Sequence, residues 1–165
     1  MRQGWSRSAD CASLCFGTIK SPQNEGVSSG AAVMTPRDVA KAARQTIKTA
    51  EERLRRGDAV LLFPEGTRSR SGKMQRFLPG VSRYFDYRDL GVLPIGIYGT
   101  EHMFGIGERT LGAARITMHI GRAVQVQAIR AESGTDRRAF VDRLGHEVAA
   151  VLPSDYQGAY SDASF

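Results

Sequence analysis

The stretch from Ala59 to Gly80, AVLLFPEGTRSRSGKMQRFLPG, constrains this chain more than any other. Five apolar residues read as a short buried strand, 59–63. Phe63-Pro64-Glu65-Gly66 then has the composition of a type I turn, with Pro second and Gly fourth. Basic residues follow at Arg68, Arg70, Lys73 and Arg76. A turn alone accounts for the first four residues. The residues after it ask for more: Gly66 lets backbone approach a ligand closely, Thr67 offers a hydroxyl and an N–H, and Arg68 offers a planar fork that matches phosphate oxygens. A phosphate monoester is the ligand these groups suit best. Glu65 is the odd member, since a carboxylate repels a phosphate; it reads as orienting Arg68 or accepting a substrate hydroxyl.

Charge placement agrees with an anion site there. The chain carries a formal +6, and residues 37–89, with 13 Lys/Arg against 7 Asp/Glu, account for all of it. Such a block serves an anion site, an anionic surface, or only a solvated basic face. Arg70, Lys73 and Arg76 could add field or meet headgroups. A nucleic-acid partner fits poorly, because the block lacks the interleaved aromatics of a single-strand binder and no recognition motif appears.

The flanks follow an alternating pattern. TPRDVAKAARQTIKTAEERLRRG is a helix: Thr35 caps it, Pro36 opens it, Asp38 completes a capping box, and Gly57 ends it. Val39, Ala43, Ile47, Ala50 and Leu54 line one face. LPGVSRYFDYRDLG reads as a second helix from Pro79 to Gly91, VLPIGIYG (92–99) as a strand, ARITMHIG (114–121) as another, and AVQVQ (123–127) as its extension or partner. Residues 135–152 form a last helix with Phe140, Val141, Leu144, Val148 and Val151 inward. Helix, strand, helix, strand is an α/β order, with a central mixed sheet flanked by helices, and Pro64–Arg68 falls at a strand's carboxyl end, where such sheets gather ligands.

The division expected is a poorly structured segment over 1–34, an α/β domain over 35–152 and a frayed tail over 153–165. Cys11 and Cys15 are too few for a disulfide framework and lack partners for a zinc site, so they read as free thiols. No metal site or cofactor is expected. No apolar run approaches the roughly 20 residues that a bilayer-crossing helix needs, and the N-terminus lacks the apolar core of a secretory signal. An intracellular protein is expected.

FPEGTRSRSGKMQRFLPG resembles the third motif of the glycerolipid acyltransferases, typified by 1-acylglycerol-3-phosphate acyltransferase. VLPIGIYGT, with Pro94, resembles their fourth, and the likeness runs from about Thr35 to Leu152. It implies transfer of a fatty acyl group, from acyl-CoA or acyl carrier protein, to the hydroxyl of a lysophosphatidate-like acceptor in phospholipid biosynthesis. It places the acceptor phosphate at Gly66, Thr67 and Arg68, with Glu65 in the same motif, and Pro94 on the acyl-donor side. It also implies work at the cytoplasmic membrane face, in peripheral contact with anionic lipid.

The family's first motif, His-x-x-x-x-Asp, supplies a general base and the carboxylate that orients it. It has no counterpart here. The three histidines, His102, His119 and His146, all follow Glu65, and none has Asp at the fifth position after it. His119 and His146 read as structural or surface residues; His102 is a weak substitute base. Trp5 and Asp10 share the motif's spacing, but Trp is no base. The second motif is altered too: GAAVMTPR keeps Gly30 and Arg37, which makes Arg37 a phosphate-binding candidate or simply a first-turn helix residue facing water. The expectation is an acyltransferase domain that begins too late, impaired in catalysis and leaving apolar surface exposed, or alternatively a non-catalytic module that binds phosphate esters or anionic lipid.

Overall fold

The computed structural model describes residues 35–86, 90–103 and 112–161. The segment 1–34, with Trp5, Asp10, Cys11, Cys15 and Gly30, lies outside the described residues. The chain divides into two compact units, 1–52 and 53–165.

The described part of the first unit is helix α1, Pro36–Arg55, whose last residues fall in the second. Its start is a reciprocal cap. Thr35 Oγ1 accepts the Asp38 N–H at 3.3 Å, and Asp38 Oδ2 accepts the Thr35 N–H at 3.2 Å and the Thr35 hydroxyl at 2.6 Å. Two otherwise orphaned donors are thereby satisfied. Ala50 is buried with Thr46, while Val39, Ala43, Ile47 and Leu54 are half-buried, so the expected face holds. Gly57, at φ +86°, ends the helix by donating to the Leu54 carbonyl at 3.0 Å.

The second unit differs from the expected α/β sheet. Residues 59–63 form no strand: Leu61 is 71% exposed and Phe63 70%, while Leu62 packs on the core. Strands β1 (Gly91–Val92), β2 (Ile95–Tyr98), β3 (Thr117–Ile120) and β4 (Val124–Gln125) make two antiparallel pairs, β1 with β4 and β2 with β3. No mixed sheet exists among the described residues. The strand expected over 92–99 is cut at Leu93-Pro94, because proline lacks the N–H that a ladder needs. Its broken ends pair with different partners: Val92 opposes Val124, and Ile95 opposes Ile120.

The expected helix from Pro79 is a 3-10 segment, Pro79–Phe85. AVQVQ supplies β4 and then turns into α2, Val126–Ser133, a helix that alternation did not predict. Val126 and Ile129, three residues apart, are both buried, which a helix turn permits and a strand does not. Helix α3, Arg137–Ala149, is as expected and is capped by Asp136, whose carboxylate accepts the Arg138 N–H at 2.7 Å and the Ala139 N–H at 3.2 Å.

The core gathers Met74, Phe77, Val81, Val126, Ile129, Phe140, Val141, Leu144, Ala149 and Tyr160. Full burial of each large side chain contributes on the order of 2 kcal/mol. Tyr160 overturns the frayed tail as far as Ser161. Two 3-10 turns, Ser154–Tyr156 and Gly158–Tyr160, bring it back under the core, where it is 3% exposed and meets Phe77 edge-on at 5.4 Å.

Candidate functional site: the Pro64–Leu78 loop

The site is one loop, leaving the exposed limb at Phe63 and returning through the core at Phe77. Its first turn is the one the composition indicated. The Gly66 N–H donates to the Phe63 carbonyl at 3.2 Å, and Gly66 sits at φ +72°. A side chain there would be strained and would also run into Leu78 Cδ1, so Gly66 suits the site twice over. The neck is closed by the Leu78 N–H, which donates to the Pro64 carbonyl at 3.0 Å. Ser69 and Ser71 order the far end. The Ser69 hydroxyl donates to the Lys73 carbonyl at 2.6 Å, and Ser71 Oγ accepts the Lys73 N–H at 3.3 Å.

The return limb is fixed from below by residues far along the chain. The Met74 N–H donates to the Tyr156 carbonyl at 2.9 Å, and the Ala159 N–H to the Met74 carbonyl at 3.0 Å. The Phe77 N–H donates to the Tyr160 hydroxyl oxygen at 2.9 Å, and Arg138 donates to the Phe77 carbonyl at 2.8 Å. Gly158, at φ +52°, permits this approach, since a Cβ there would strike the Met74 carbonyl. Below lies Asp142. Arg76 donates to both its oxygens, at 3.2 and 2.6 Å, and Arg138 pairs with it from one turn earlier on α3. Burial pushes the Asp142 carboxyl up, but hydrogen bonds and charge from Arg76 and Arg138 outweigh it and hold the group below the usual aspartate range. Arg76, expected to add field at the anion site, is thus committed to the framework.

The crest of the loop is the opposite. Thr67, Arg68 and Arg70 are exposed and have no hydrogen-bond or ion-pair partner among the described residues. Lys73 is exposed as well. Glu65 neither pairs with Arg68 nor faces open water: it is half-buried, and its Oε2 accepts the Gln75 N–H at 2.8 Å. Burial raises its carboxyl above the ordinary glutamate range, and the Gln75 bond offsets this in part.

The remaining candidates lie elsewhere. Arg37 is exposed on the first turn of α1, in the first unit. Pro94 is buried at the break between β1 and β2, where its carbonyl accepts the Gly121 N–H at 2.9 Å. Glu101 lies beside the loop's far end, its Cγ 3.6 Å from where a Cβ on Gly72 would stand. The Tyr156 hydroxyl donates to Glu101 at 2.7 Å and lowers its carboxyl, and the exposed His102 ring lies 3.4 Å from the same oxygen. His119 bonds the Val151 carbonyl at 3.1 Å and meets Tyr98 edge-on; His146 packs on the Tyr160 ring. His119 is exposed and His146 half-buried. Gln75 meets Glu65 only once the loop has closed, and Asp142 and Tyr160 reach the loop only through tertiary contacts, so none of the three is legible in the sequence as part of this site.

Exposed cationic side chains thus stand on the crest of a loop that opens with Glu-Gly-Thr-Arg and whose return limb is held by the core. The acyltransferase family matches residues 15–98, half of the chain, and the protein belongs to that family. The match starts earlier than Thr35, inside the segment expected to be poorly structured. The chain is also 32% identical, over 76 residues, to the chloroplastic 1-acyl-sn-glycerol-3-phosphate acyltransferase LPAT1 of Arabidopsis thaliana. That alignment covers 44% of this chain and 21% of the plant protein, so the chain spans about a fifth of that relative. No solved structure matches.

Proposed function

We propose that the Pro64–Leu78 loop binds the phosphate of a lysophosphatidate-like acceptor for acyl transfer in phospholipid biosynthesis. Gly66, Thr67 and Arg68 hold the phosphate, with Pro94 on the donor side. The observation that carries this reading is the crest: exposed donors with no partner among the described residues, on a limb anchored in the core. The acceptor oxygen would attack the thioester carbonyl of acyl-CoA or acyl carrier protein. The C–S bond breaks, the ester forms, and the hydroxyl proton leaves through a base to the departing thiol. Exposed Leu61 and Phe63 beside the basic crest support peripheral contact with anionic lipid at the cytoplasmic membrane face.

A second reading is binding of a phosphate ester without turnover. The two separate in one pair of measurements on the purified chain. Retention of lysophosphatidate with thiol release from acyl-CoA supports transfer; retention alone supports the binding module. Arg68→Ala is expected to weaken lysophosphatidate binding about tenfold or more, since it removes a charge-assisted pair. Unchanged affinity would sink both readings.

A further inference from the structure

Resting on the reading of the crest as a phosphate-monoester site, we propose that Glu65 is a positioning residue that never touches the ligand: its carboxylate latches the turn to the buried return limb and so sets Thr67 and Arg68. A carboxylate one residue from the phosphate-binding glycine is otherwise hard to justify, because it opposes the anion it stands beside. The geometry gives it another task. Two rungs tie the outgoing turn to the return limb, Leu78 N–H to the Pro64 carbonyl at 3.0 Å and Gln75 N–H to Glu65 Oε2 at 2.8 Å.

Between those rungs on the return limb sits Phe77, 4% exposed, its N–H held by Tyr160 and its carbonyl by Arg138. The return limb is therefore fixed, and the turn takes its position from it. The neck rung is backbone to backbone and survives any side-chain change. The Glu65 rung is the one made by a side chain, and it lies on the residue next to Gly66. A Gln75 N–H without it is left in a half-buried place with no acceptor. Thr67 and Arg68 have no partner among the described residues to hold them, so they inherit their order from the latch, and order before binding raises affinity by reducing what must be frozen on association.

Two substitutions at Glu65 separate charge from hydrogen bonding. In Glu65→Gln the amide oxygen accepts the same N–H, so the latch stays and the charge goes. In Glu65→Ala both go. The experiment is calorimetric titration of the full chain with glycerol 3-phosphate, for wild type, E65Q, E65A and R68A, with amide hydrogen exchange read at Gln75. Expected are protection of Gln75 in E65Q with binding no weaker than wild type, and in E65A loss of protection with binding about tenfold weaker. If E65Q binds as weakly as E65A while Gln75 stays protected, the charge meets the ligand and the proposal is overturned. Unchanged Gln75 protection in E65A overturns it from the other side, since no latch exists. A wild-type chain that binds no phosphate monoester removes the site reading and the purpose assigned here to Glu65; Gln75 exchange then still decides the latch by itself.

Discussion

Ala59–Phe63 and Met74–Val81 flank the same loop, the first an unbroken apolar run, the second interrupted by Gln75, Arg76, Pro79 and Gly80. On hydropathy the first should be inside. Instead Leu61 and Phe63 face out, while Met74, Phe77 and Val81 are core residues. The difference lies in partners. Alternate residues Val60 and Leu62 are half-buried on the first limb, as in a strand, but no ladder forms among the described residues. The second limb has Tyr156, Ala159 and Tyr160 beneath it and Arg138 beside it. Burial follows from what arrives to cover a segment, and a run's own hydropathy states only what it would gain if covered.

The contrast breaks most sharply at Phe77. Phe77→Ala should cost about 3–5 kcal/mol in a urea titration, the range for emptying a packed aromatic site; a loss near zero would mean that the return limb is not core. Asp142→Asn removes the charge and one of the two acceptor oxygens shared by Arg76 and Arg138 and should cost on the order of 2 kcal/mol. Its pH signature is more telling. The native Asp142 carboxyl lies below the usual aspartate range, so the unfolded chain takes protons first. Its stabilisation is complete above that range and is lost as pH falls through the depressed native value. Glu65 runs the other way: raised by burial, it contributes stability below the ordinary glutamate range that is lost as pH rises through its elevated native value. Urea midpoints measured against pH should therefore show a shallower acid-side loss in D142N than in wild type, and in E65Q a smaller loss on the rising side. Last and smallest, Phe63→Ser should change stability by no more than about 0.5 kcal/mol, as at any exposed site. A large loss there would close the gap between the two limbs.

What could be read in the sequence was local. Helix α1 and its Thr35–Asp38 box, α3, and the Phe63–Gly66 turn all depend on residues within a few positions of one another. The strand over 59–63 failed because a strand is half of a pair, and its apolar side chains say nothing of whether the other half is present. The tail failed for the converse reason: Ser, Asp and Gly look frayed, and a single tyrosine reverses that when a glycine at 145 on α3 leaves room for its ring. Glu65 could be seen to be anomalous, but its acceptor role needed Gln75 placed across the loop.

The hydrogen bond from Phe77 to Tyr160 spans 83 positions of the chain. During synthesis, then, the Glu-Gly-Thr-Arg turn leaves the ribosome long before the residues that hold its return limb, and contacts this distant in sequence form late. Until Tyr160 emerges and docks, the nascent chain carries an exposed Phe77 and a basic crest with no fixed shape. The fixed shape of the loop is therefore acquired only once Tyr160 has docked, and a bulky insertion near Tyr160 should disturb a turn more than eighty residues away while leaving its own sequence untouched.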